Sequence, residues 1–87
     1  MTRYYVLTIS RSSSFLLERR FSMEGINCEI TYIPRELTSD LCNMGLRFYE
    51  SEFSKAINVI RRSGLPGCKV FMEILDQYGS RYQEVPI

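Results

Sequence analysis

CEITYIPRELTSDLCNMGLRFYE, residues 28–50, decides the fold. Cys28, Ile30 and Tyr32 alternate onto one face of an extended segment, and Pro34 ends it because proline has no N–H for a ladder. After a polar loop, Met44, Leu46 and Phe48 alternate with Gly45, Arg47 and Tyr49. Two strands therefore follow one another with no helix between them.

Reading outward, YYVLTI at residues 4–9 is β-branched and aromatic, the composition of a short strand. SRSSS at 10–14 offers several N-caps for a helix running to about Glu24, with Gly25 as its stop. Leu17 and Phe21 lie four apart on one face, flanked by Leu16 and Met23, while Phe15 falls on the other side. Downstream, Glu50 and Glu52 suit the positive start of a second helix, and Arg61 and Arg62 its negative end. Phe53, Ala56, Ile57 and Ile60 form its apolar stripe, and Gly64 is its expected stop. LPG at 65–67 turns the chain into KVFMEIL at 69–75, a fourth strand.

The order β-α-β-β-α-β, with right-handed crossovers, predicts a ferredoxin-like α+β sandwich: a four-stranded antiparallel sheet with both helices on one face. One domain spans residues 1–87, with a core at about 3–75. The tail at 76–87 carries a YGS turn signal and then RYQEV, which can add an edge strand or pack against a partner. The face away from the helices is expected to show Tyr4, Val6, Ile33, Tyr49 and Phe71, an aromatic surface suited to a homodimer or another partner.

Composition removes several function classes. Eleven basic and ten acidic residues leave a net charge of +1, without the electrostatic footprint of a general nucleic-acid binder. No run approaches a membrane span and the start lacks a secretory pattern, so the expected location is the cytoplasm. Histidine is absent, which removes Ser-His and Cys-His pairs and the usual zinc ligands. Five scattered glycines make no phosphate loop, and no cofactor is implied. Cys28, Cys42 and Cys68 are odd in number with no CxxC spacing, the pattern of free thiols in a reducing compartment.

Of the three, Cys42 is the candidate for chemistry. It sits in the loop, whereas Cys28 falls in an apolar register and Cys68 follows a Pro-Gly turn. The reactive species is the thiolate, favoured by positive charge and N–H donors. Arg35 and Arg47 bracket the loop to supply charge, and Thr38 and Ser39 can donate to a bound sulfur species; Asp40 opposes this unless Arg35 pairs with it. Against this stands the plain alternative, a small half-buried hydrophobe in a loop whose TSD is only turn chemistry.

The order of these segments resembles the DUF3343 family, small proteins described as selenium/sulfur carrier-like, over about residues 3–75. The loop carries the resemblance. Pro34-Arg35, Leu37, the hydroxyl pair Thr38-Ser39, Cys42 and the strand Leu46-Arg47-Phe48 match the family pattern. Asn43 stands where that pattern has glycine, and Asp40-Leu41 lengthens the spacing from hydroxyls to cysteine by one residue. The resemblance implies a carrier in which Cys42 accepts sulfur or selenium as a persulfide or selenylsulfide. It would take the atom from a donor enzyme and pass it to an acceptor enzyme. Arg35, Thr38, Ser39, Asn43 and Arg47 are then the binding and activating residues. It is more a carrier or binding protein than a stand-alone enzyme.

Two rivals stand beside it. One is a non-catalytic binding, regulatory or dimerisation module, since a fold does not fix a function. The other is an RRM-like RNA binder, with Tyr4 and Tyr49 as stacking aromatics, against which stand the near-neutral charge and a third strand unlike the RNP1 pattern.

Overall fold

The computed structural model describes residues 2–38 and 44–87. Along the chain run β1 (Arg3–Leu7), α1 (Arg11–Met23), β2 (Glu29–Tyr32), β3 (Met44–Tyr49), α2 (Phe53–Ser63), β4 (Lys69–Asp76) and β5 (Gly79–Val85). Short 3₁₀ turns occupy Arg35–Leu37 and Glu50–Glu52. The strands form one antiparallel sheet in the order β2-β3-β1-β4-β5. This is an α+β fold consistent with a ferredoxin-like arrangement, with five strands where four were expected for the sheet proper. The tail supplies the fifth, pairing with β4 from Val70↔Val85 to Asp76↔Gly79.

Local chemistry sets the element ends. Ser10 caps α1, its Oγ accepting from Ser13 N–H at 3.1 Å. Glu24 and Gly25 close that helix by donating to carbonyls of its last turn, with Gly25 at φ 73°. Gly64 ends α2 in the left-handed region.

Register decides which face each strand residue takes. Tyr4 lies opposite Phe48, and Val6 opposite both Leu46 and Val70. Directly opposed residues of an antiparallel pair point to the same face. Tyr4 stacks on Phe48 (centroids 5.3 Å, 11°) and meets Phe53 of α2 at 4.7 Å; Phe21 of α1 stands edge-on to Phe48 at 6.1 Å. Leu17, Phe21, Ala56, Ile57, Val59 and Ile60 complete this core from the helices. The expectation that Tyr4 and Val6 lie on the open face is therefore corrected: both are buried beneath the helices. Tyr4 cannot then pair with Tyr49 as a base-stacking platform.

The second face is partly filled. Tyr5 is only 6% exposed and takes Tyr82 of β5 edge-on at 6.0 Å. Glu73 is equally buried, accepting from Arg3 Nε at 2.5 Å and from the Tyr82 hydroxyl at 3.3 Å. Burial, then the Glu73 charge, push the Tyr82 phenol up to about 12; smaller contributions include Glu36. The buried Ile33 lies against Gly45. Ile33, against Gly45, starts the β2–β3 connection on this side of the sheet.

Gly45 marks where strand and loop approach most closely. A Cβ there would collide with the Val6 carbonyl oxygen and with Ile33 Cδ1. The backbone oxygen cannot yield, so Gly45→Ala should cost about 1–3 kcal/mol. A lower urea midpoint at unchanged slope is expected; an unchanged midpoint would refute the packing of Ile33 and Val6 around Gly45.

Candidate functional site

The β2–β3 connection leaves β2 through Ile33 and Pro34. Leu37 N–H closes the 3₁₀ turn on the Pro34 carbonyl at 2.9 Å, and Thr38 N–H reaches the Arg35 carbonyl at 3.3 Å before its backbone becomes extended. Ser39, Asp40, Cys42 and Asn43 lie outside the described residues. Arg35 is exposed and Thr38 half-buried.

Where the chain resumes at Met44, the loop is anchored to α1. Pairing between β1 and β3 reaches only Val6↔Leu46, so Met44 lies beyond the last β1 partner. The Ser14 hydroxyl donates to the Met44 carbonyl at 3.1 Å. Ser14 is fully buried, and while it donates to Met44 it accepts from the Thr8 hydroxyl at 2.6 Å; the Ser10 carbonyl, 2.9 Å from Thr8 Oγ1, is the alternative acceptor for that one Thr8 proton. These hydroxyls satisfy polar groups that would be costly to bury alone. They also hold the loop's downstream end against the first turns of α1. That helix begins with Arg11 and has no acid in its first turn, so its positive end is not neutralised from within.

Arg47 is placed differently from Arg35. It lies directly across from Glu29 and forms an ion pair with it. That pair is three register steps from Tyr32↔Met44, where the loop joins the hairpin, or roughly 10 Å along the strand. The Arg47 charge is thus engaged at the opposite end of the hairpin from the loop.

Both described thiols are poor nucleophiles. Cys28, half-buried against the core, has its thiol pushed up to about 11, first by burial and then by Glu18 and Glu52. Burial also pushes the Cys68 thiol up. Each stays protonated at neutral pH. Among the described residues no cluster of His, Cys, Asp and Glu could hold a metal ion, and no helix is long and apolar enough to cross a membrane.

Residues 3–71 match the family described as "Putative Se/S carrier protein-like". The chain belongs to this family. No curated protein and no solved structure matches it. The family match spans the β2–β3 loop and ends within β4, leaving β5 and its Tyr82 outside. Two features of the carrier-like chain were not read from the sequence. Ser14 looked like one more capping serine, although its place on the Leu17–Phe21 face was a usable signal. Glu73, a lone acid within an apolar strand, pointed to a buried partner that only β5 and Arg3 reveal.

The raised thiols make a pH prediction. With iodoacetamide, Cys28 of the folded protein should be alkylated slowly at pH 7, its rate rising about tenfold per pH unit and levelling off only near pH 11. Peptide mass mapping across pH reads this directly. Rapid labelling of Cys28 at pH 7 would contradict its burial.

Proposed function

We propose that this chain is a sulfur or selenium carrier whose accepting atom is Cys42 Sγ. Membership of the carrier-like family over residues 3–71, a span that includes the loop, is the observation that carries the reading. The silencing of Cys28 and Cys68 by burial supports it, because it leaves Cys42 without a competing thiolate among the described cysteines. The Ser14–Met44 tether adds support: Met44 is two residues from Cys42, and it is held on the positive end of α1, where a thiolate or persulfide is favoured.

In the proposed step the Cys42 thiolate attacks the terminal sulfur of a donor's persulfide. A Cys42 Sγ–S bond forms, the donor's S–S bond breaks, and the donor thiolate leaves with the electron pair. No external oxidant or reductant is consumed. Selenium follows the same course to a selenylsulfide. By sequence position, Arg35 is assigned as the cation for the transferred atom, Thr38 and Ser39 as its hydrogen-bonding hydroxyls, and Asn43 as the residue next to Cys42 in the matched loop pattern. Arg47, already paired with Glu29, is assigned no part in the transfer. The partners are a persulfide-bearing donor enzyme and an acceptor enzyme that supply the chemistry this histidine-free chain lacks.

Incubation with a cysteine desulfurase and cysteine, followed by intact mass without reductant, tests the reading. One added sulfur atom is expected, removed by reductant, lost in Cys42→Ser and kept in Cys28→Ser and Cys68→Ser. An adduct that persists in Cys42→Ser would refute it.

A further inference from the structure

At the end of the β2–β3 hairpin away from the loop lies a cavity of about 360 Å³, lined by Asn27, Cys28, Glu29, Arg47 and Tyr49. That is the lower end of the size range of small-molecule sites. Its wall carries one cation and one anion. The Arg47 side chain is 23% exposed and the Glu29 side chain 51%, and the two are paired across the strands. A cross-strand ion pair alone is ordinary sheet chemistry. Here the pair lines a concavity, and Arg47 Nε is buried with no hydrogen-bond partner among the described residues. Glu29 engages Nη2, and the five N–H donors of a guanidinium leave capacity beyond that one contact.

The charge arrangement selects a ligand class. A simple anion gains Arg47 but is repelled by Glu29, and a simple cation meets the reverse. A ligand with both charges close together can lie across the pair and satisfy each. Asn27 offers a donor and an acceptor at the rim, and the half-buried Cys28 and the exposed Tyr49 ring offer polarizable surface to a short side chain. We propose that this cavity binds a small free α-amino acid as its zwitterion, with the carboxylate on Arg47 and the ammonium on Glu29. The proposal does not rest on the role of Cys42.

Amide-resolved NMR titration of the full chain with L-cysteine under reducing conditions tests it. The amides of residues 27–29 and 47–49 are expected to shift together and saturate in the millimolar range. Acetate or ethylammonium at equal concentration should not reproduce the shifts. Glu29→Gln and Arg47→Gln should each weaken binding about tenfold, the loss of one charge-assisted contact. Asn27→Ala, outside the strands and with no effect on their pairing, should weaken it about threefold. Cys42→Ser should bind as the parent does. Absent shifts at these amides, equal binding of acetate, unchanged affinity in Glu29→Gln and Asn27→Ala, or loss of binding in Cys42→Ser would each overturn the proposal.

Discussion

The pairing of β1 between β3 and β4 is the constraint on which the rest depends. With Tyr4 opposite Phe48 and Val6 opposite Leu46 and Val70, the central strand sends its largest apolar side chains toward the helices. A slip of one residue would exchange Tyr4 and Val6 for Arg3 and Tyr5 and place a guanidinium in the core. The same register brings the Val6 carbonyl so close to Gly45 that no side chain fits there, and it stops β1 short of Met44, leaving Ser14 to take that carbonyl. Fold and loop anchor thus follow from one alignment.

β5 changes the character of the second face. A four-stranded sheet with helices on one side would leave Tyr5, Phe71 and Glu73 to water. Tyr82 instead covers Tyr5 and donates to Glu73, whose other partner is Arg3. A carboxylate this buried is tolerated because it is paired and hydrogen-bonded. β5 lies beyond the family match, which ends at residue 71.

Most of the architecture was legible from periodicity and stop signals. Pro34, Gly25 and Gly64 bounded elements as expected, and the apolar stripe of α2 turned inward. The face of β1 was misread because YYVLTI is apolar or hydroxylated at every position, so alternation could not choose between Tyr4 and Tyr5; pairing with the clearly alternating β3 does. Arg47 was read by proximity in sequence to the loop, yet in an extended strand three residues carry it roughly 10 Å away, to a partner on the neighbouring strand. The cavity beside Cys28 joins residues nearly twenty positions apart, and only the hairpin register brings them together.

The state of Cys28 links selectivity to stability. Its thiol has an ordinary value of 9.0 and is pushed up to about 11 in the folded chain, so folding favours the neutral form. The sign follows from proton linkage: above pH 9 the unfolded chain releases this proton while the folded chain keeps it, and stability falls. The contribution is full below pH 9, declines through the window to about 11, and is gone as an increment beyond it. The burial that keeps the Cys28 thiol protonated at neutral pH is therefore also a folding term. Replacing it with serine would put a smaller, more polar hydroxyl where the thiol packs against the core. Cys28 and Cys68, the two described thiols that burial holds protonated, have a physical reason to be retained: both pack against the core.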